Sequence, residues 1–212
     1  MNISTANSKY FSSSLGFGEH KQTAINLMTK VINILNEFEI DYFLISGTLL
    51  GFVRHNDFIP WDDDMDLIVS DDILNKIKMI FIEYHKILII KFINKYFIKI
   101  SFREEGIPLN RCDCKFPFID LFLYYVHPDP HHKKMEFFKR LWDYDFFYPP
   151  QEKTFLDITV KIPRIPHYFL KENYGSNYMT VYKSPSYSHK KEKHINTVVK
   201  HNIITNGELS KQ

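Results

Sequence analysis

Apolar positions along this 212-residue chain change period several times, and each change predicts an element. Between about 20 and 38, Ile25, Leu27, Met28, Val31, Ile32, Leu35 and Phe38 recur at roughly helical spacing. The short continuous run "IDYFLI" (40–45) predicts a buried strand ending at Ser46-Gly47. "TLLGFVRH" then predicts a helical turn or two, and "DLIV" (66–69) a second strand. Ser70-Asp71-Asp72 has the character of a helix start for "ILNKIKMIFIEYH". Residues 87–102 predict two strands whose turn the pattern does not fix, and "FPFIDLFLYYV" (116–126) a strand broken by one acid, Asp120. Residues 127–150 open with "HPDPHHKK" and continue as an aromatic, charged, helical segment to Pro149-Pro150. The order helix, strand, strand–helix, strands predicts an α/β (α+β) domain around a mixed central sheet flanked by helices, spanning 19–183. A flexible Ser- and Asn-rich arm (1–18) is expected before it and a polar, solvated tail (184–212) after it.

Composition narrows the function classes. A net charge of +2, from 27 basic and 25 acidic residues, gives no reason to expect nucleic acid or a lipid surface as partner. The most apolar later stretch, "MIFIEYHKILIIKFI", is broken by Glu83, His85, Lys86 and Lys91, so no membrane span is expected. The N-terminus shows no basic-then-apolar signal pattern, which points to a cytoplasmic chain. Cys112 and Cys114 are separated by one residue, too tight for half of a structural zinc site, and are expected as free thiols.

The candidate chemistry sits in "SGTLLGFVRHNDFIPWDDDMDLIV". Alternate side chains of an extended run share a face, so Asp64 and Asp66 point the same way, with Asp62 joining them if the run starts early. Carboxylates on one face repel each other, and a divalent cation with hard oxygen ligands, Mg²⁺ or Mn²⁺, removes that penalty. Asp120, the lone acid in its apolar strand, is the candidate third ligand, because a buried charge needs a partner or a metal. Ser46-Gly47-Thr48 supplies a phosphate cradle, since glycine permits close backbone approach and the amides of the following helix face an anion. These parts describe phosphoryl or nucleotidyl transfer. The competing reading is a solvated acidic turn at 62–64, with Asp120 paired to a buried Arg or Lys.

At these residues the chain resembles the LicD/fukutin-related group of nucleotidyltransferase-fold enzymes. The glycine-threonine-leucine-leucine-glycine start, the arginine and "IPWDDDMD" match that group's signature, and "FPFIDLFLYY" matches the segment with its third aspartate. "ITVKIPRIPHYFLKENYG" is similar to its C-terminal strand and helix end. The resemblance implies a polymerase-β-like core that moves phosphocholine or ribitol phosphate from a CDP-linked donor to a glycan hydroxyl. By the same resemblance Asp64 and Asp66 hold Mg²⁺ or Mn²⁺, and Asp120 completes the metal site and helps deprotonate the acceptor. Gly47 and Thr48 lie along the donor phosphates with Asp62 beside them, and Arg54 and Lys99 meet phosphate charge. Two departures stand out: Cys112 and Cys114 do not reproduce the cysteine-rich zinc loop of the animal members, and the chain shows no Golgi stem or anchor. A Golgi location is therefore expected only if a leader is missing. Transfer of a nucleoside monophosphate from an NTP, and nucleotide binding without catalysis, are the alternatives.

Several other residues draw attention and are expected to be structural. Trp61 and Phe146-Phe147-Tyr148 read as core aromatics rather than stacking platforms. "HPDPHHKK" and "SHKKEKHINTVVKH" (188–201) read as solvated, and His167 and Tyr168 as distant from an acceptor.

Overall fold

Alternation within the strands decides what each face of the sheet carries. In the computed structural model, which describes residues 16–128, 132–183, 186–195, 200–203 and 209–211, seven strands form one mixed sheet. The chain runs α1 (Lys21–Glu37), β1 (Tyr42–Leu44), α2 (Ser46–His55), β2 (Met65–Ser70) and α3 (Leu74–Tyr84). It continues through β3 (Leu88–Phe92), β4 (Phe97–Phe102) and the long β5 (Phe118–His127). The main path across the sheet is β1–β2–β5–β4–β3, with β2 and β5 parallel and the other pairs antiparallel. Leu88, Ile90, Ile100 and Leu121 meet Val31, Ile34 and Leu35 of α1 and Ile77 and Ile80 of α3. Lys99 and Asp120 alternate with those residues and so face the opposite side. The two strands expected within 87–102 are β3 and β4, and the turn the pattern left open falls at 93–96.

The segment expected to be helical before Pro149 is instead a hairpin. Strands β6 (Lys134–Phe137) and β7 (Arg140–Asp143) extend the sheet from the end of β5, followed by a short 3₁₀ turn at Tyr144–Phe146. Phe138 and Lys139 both take positive φ, 52° and 59°, the conformation a two-residue hairpin turn demands. Met135 and Phe137 turn inward, while Lys134 and Glu136 between them are only half-buried. Phe137, Trp142, Phe147 and Phe169 pack into one aromatic cluster with centroids 5.1–6.3 Å apart, so Phe147 is a core residue. A second hairpin, β8 (Gln151–Phe155) with β9 (Ile158–Ile162), flanks β1, where Lys161 N–H donates to the Tyr42 hydroxyl. Helix α4 (Pro166–Tyr174) follows, opened by its proline and closed at Gly175 with φ 89°.

Cys112 and Cys114 are joined as a disulfide, their Cα atoms 5.3 Å apart, which corrects the expectation of free thiols. Among the described residues no helix is long and apolar enough to cross a membrane. Most of the expected N-terminal arm lies outside the described residues; of its end, Phe17 is buried against Phe58 and Phe116.

Candidate active site

Sheet register brings the acids together. Asp66 on β2 is the partner of Asp120 on β5, and Asp120 is in turn the partner of Lys99 on β4, so three side chains stand abreast on one face. Asp64 lies just before β2, and one carboxylate oxygen from each of Asp64, Asp66 and Asp120 lies within 4.8 Å of the others. Asp66 and Asp120 are buried, at 7% and 6% exposure. Burial raises the Asp66 pKa well above the carboxylate range, and the charges of Asp64, Asp120 and Asp62 push the same way. Asp62 is raised by burial and then by Asp64 and Asp63. Asp120 is also raised by burial, although Lys99 opposes the shift. Such a set cannot carry full negative charge without an added cation, and its all-oxygen donors suit a hard divalent ion.

The Lys99 ammonium lies 2.6 Å from Asp120 Oδ1, in a pair whose side chains are 11% and 9% exposed, and sits over the Phe118 ring. Asp120 is therefore both a member of the acid group and the partner of a buried lysine. Lys99 meets this carboxylate rather than the cleft, a departure from its expected phosphate role.

Helix α2 begins directly against the acids. Ser46 takes φ 48° as the chain turns from β1 into the helix. The Gly47 amide donates to Asp66 Oδ2 at 3.3 Å, and a Cβ on Gly47 would fall 2.2 Å from Asp62 Oδ2, so any larger residue would displace the Asp62 carboxylate. The Thr48 hydroxyl accepts the Asp66 amide at 2.8 Å and is buried, so its side chain positions β2 instead of facing the cleft. Ser46, Gly47, Arg54, Asp62, Asp64 and Asp66 line one side of a cleft of about 600 Å³. Asn173, Tyr174, Asn177, Tyr178, Tyr187 and His189 line the other.

Arg54 reaches that cleft but is committed to the C-terminal segment. Its Nη1 donates to the carbonyls of Tyr178 (3.0 Å) and Val181 (3.2 Å), and its guanidinium stacks on Tyr182. Burial lowers its pKa to about 10, which leaves it cationic at neutral pH. Trp61 is buried too, its Nε1 donating to the Lys183 carbonyl. His167 bonds the Tyr178 hydroxyl and Tyr168 stacks on Phe146; neither lines the cleft. In "HPDPHHKK", His127 pairs with Glu136, while residues 129–131 lie outside the described residues.

Two contributors were not expected. Asp63, at 3% exposure, accepts from Ser188 Oγ (3.1 Å) and from the backbone amides of His189 (3.2 Å) and Lys190 (3.0 Å). His189 then places Nε2 3.2 Å from Asp64 Oδ2. The stretch expected as a solvated tail is thus packed on the acid loop at 188–190. Asp63 carried a signal, being one of three adjacent aspartates; His189 carried none.

Residues 39–165, more than half of the chain, match the family described as LicD/FKTN/FKRP, nucleotidyltransferase domain. The lipopolysaccharide cholinephosphotransferase LicD of Haemophilus influenzae is 37% identical over 54 residues, 26% of this chain and 20% of that protein. The human ribitol 5-phosphate transferase FKRP is 46% identical over 46 residues, 21% of this chain and 9% of that protein. The aligned stretches thus span a fifth or less of these relatives. Among solved structures, the lincomycin-bound lincosamide antibiotic adenylyltransferase LnuA superposes with a TM-score of 0.44 at 10% identity, covering 65% of this chain and 78% of that one. With its acid triad at the strand register just described, this chain belongs to the LicD/FKTN/FKRP family of nucleotidyltransferase domains.

Proposed function

We propose that this chain is a divalent-cation-dependent transferase that moves a phosphorylated alcohol, phosphocholine- or ribitol-phosphate-like, from a CDP-linked donor to a glycan hydroxyl. The observation that carries the reading is the convergence of Asp64, Asp66 and Asp120 within 4.8 Å beside a cleft large enough for a nucleotide. Those three residues fit Mg²⁺ or Mn²⁺. The ion, when bound, neutralises donor phosphate charge and polarises the phosphorus. Ser46 and Gly47, at the start of α2, line the same cleft, where the positive end of the helix favours the anionic diphosphate. The acceptor oxygen attacks the phosphorus bearing the alcohol, a new P–O bond forms, and the bond to the bridging oxygen breaks. CMP leaves with that electron pair. Asp120, held at Oδ1 by Lys99, is the carboxylate assigned to receive the acceptor proton.

The test is a panel of CDP-choline, CDP-ribitol and CDP-glycerol, labelled separately in each phosphate, with Mn²⁺ or EDTA and glycan acceptors. Label from the alcohol-linked phosphate on the acceptor, abolished by EDTA and by Asp64→Ala, is the expected result. Label from the nucleoside side would replace this reading with nucleotidyl transfer. Tight nucleotide binding with no turnover on any donor would replace it with a binding domain.

A further inference from the structure

The family match ends at residue 165, yet one wall of the cleft is built from residues beyond it. Among the described residues of that wall, His189 is the one whose side chain pairs with one of the three clustered acids. Its ring is fixed on two sides by Phe118 (centroids 5.5 Å, edge-on) and Tyr187 (5.1 Å). Its backbone amide is held by Asp63, together with the neighbouring Ser188 hydroxyl and Lys190 amide. The turn is anchored again where Glu192 accepts the backbone amides of Asn110 (2.6 Å) and Arg111 (2.7 Å). His189 Nε2 lies 3.2 Å from Asp64 Oδ2, so a hydrogen carried on Nε2 faces the acids of the cleft lining.

We propose that His189 is a donor-binding residue whose Nε2–H is passed from Asp64 to a phosphate oxygen of the nucleoside diphosphate, and that Asp63 is its positioning residue. This rests on the reading of the cleft as a nucleotide site. The physical reason is competition for Asp64. A divalent ion held by Asp64, Asp66 and Asp120 would compete with the imidazole N–H for the Asp64 carboxylate and weaken that contact. A partly buried donor left unmatched is costly, and the anionic oxygens that accompany the ion are the nearest acceptors of matching charge. On the same lining Arg54 Nη1 already has two carbonyl acceptors and Trp61 Nε1 has the Lys183 carbonyl, which leaves His189 as the better placed side-chain donor.

The experiment measures CDP affinity by calorimetry in saturating Mn²⁺, alongside Mn²⁺ affinity without nucleotide, for the full chain, for His189→Ala, His189→Gln and Asp63→Ala, and for the double variant carrying both Asp63→Ala and His189→Ala. Each variant is first checked for an intact thermal unfolding transition. His189→Ala should weaken CDP about ten- to a hundredfold, the range for losing a hydrogen bond to a charged group. It should leave Mn²⁺ binding unchanged or slightly tighter. His189→Gln, which keeps an N–H near the same place, should recover much of the loss. Asp63→Ala should weaken CDP in the parent and cost nothing more in the His189→Ala background. Equal CDP affinity in parent and His189→Ala overturns the role of His189 while the nucleotide site survives. A persistent Asp63→Ala penalty in the double variant overturns the positioning role. Failure of the parent chain to bind CDP with any divalent ion overturns both this inference and the proposed function. A His189-dependent CDP site in a chain that turns over no donor upholds the inference and removes only the reaction.

Discussion

Replacing Lys99 by methionine isolates the electrostatic design of the site, because methionine keeps the stem against Phe118 and deletes only the charge. The ammonium and Asp120 Oδ1 are 2.6 Å apart in a pair about nine-tenths buried. At an effective dielectric of about 20 their attraction is roughly 6 kcal/mol, most of it offset by the cost of removing both charges from water. Deleting one partner of such a pair costs about 3–5 kcal/mol, since the other is left buried and unpaired. Asp120 can escape by taking a proton, and its pKa is already raised by burial with Lys99 present. A carboxyl whose folded pKa exceeds its unfolded value stabilises below the unfolded value and loses that contribution as pH rises through the folded one. Lys99→Met raises the Asp120 pKa further, so its cost is smallest near pH 5 and largest near pH 8. Thermal unfolding followed by circular dichroism in EDTA should show a drop of about 10 °C at pH 8 and less than half of that at pH 5. Millimolar Mn²⁺ should restore part of the loss by taking the place of the missing charge. An equal drop at both pH values would mean that only packing had been lost, and a drop under about 1 kcal/mol at pH 8 would refute the buried-pair argument.

The acid cluster predicts a pH profile for the parent chain as well. Asp62, Asp66 and Asp120 all have pKa values raised by burial, so cation-free protein should lose stability from pH 5 to pH 8, and saturating Mn²⁺ should flatten or reverse the slope. Chemical denaturation at both pH values reads this directly, and an EDTA profile that rises with pH would contradict it. Asp66→Asn removes one repelling charge and keeps an oxygen for the Gly47 amide, so it should gain about 0.5–2 kcal/mol in EDTA while transferase activity is lost. Gly47→Ala forces a Cβ to within 2.2 Å of Asp62 Oδ2 and should cost about 1–3 kcal/mol and weaken Mn²⁺ binding in calorimetry. A Gly47→Ala protein with unchanged melting and unchanged Mn²⁺ affinity would show that the acid loop moves freely.

What the chain discloses before folding is local. Strand alternation in "DDDMD" is a property of neighbours, so the shared face of Asp64 and Asp66 was legible, as was the glycine at a tight strand-to-helix junction. That Asp120 stands at the register of Asp66, and Lys99 at the register of Asp120, depends on pairing between segments far apart in sequence. The competing expectation of a lysine partner for Asp120 and the expectation of a grouped third acid both describe the same carboxylate. Arg54 was expected to meet phosphate charge, but its acceptors are the carbonyls of Tyr178 and Val181, which no local pattern reveals. The hairpin at 134–143 was misread because its turn, Phe138-Lys139, takes left-handed conformations without the glycine or asparagine that usually announces them. The turn at 188–190 has neither periodicity nor apolar weight; distant partners, Asp63 beneath it and the Asn110 and Arg111 amides at Glu192, give it a fixed place.

Alternation also explains why the loop holds three aspartates in succession when the triad draws on only one of them. Along the extended run before and into β2, Asp62, Asp64 and Asp66 line the cleft, while Asp63 and Met65, at 3% and 0% exposure, turn inward. The inward acid has three donors from the 188–190 turn and is satisfied without an ion. The outward acids have fewer: Asp66 receives the Gly47 amide, Asp64 receives His189, and Asp62 lies beside Asp64. One stretch therefore does two jobs by parity. Odd positions fasten the C-terminal wall, and even positions accumulate negative charge that only protons or a cation can balance. A substitution at 63 should accordingly disturb the wall before it disturbs the ion, and one at 64 or 66 the reverse.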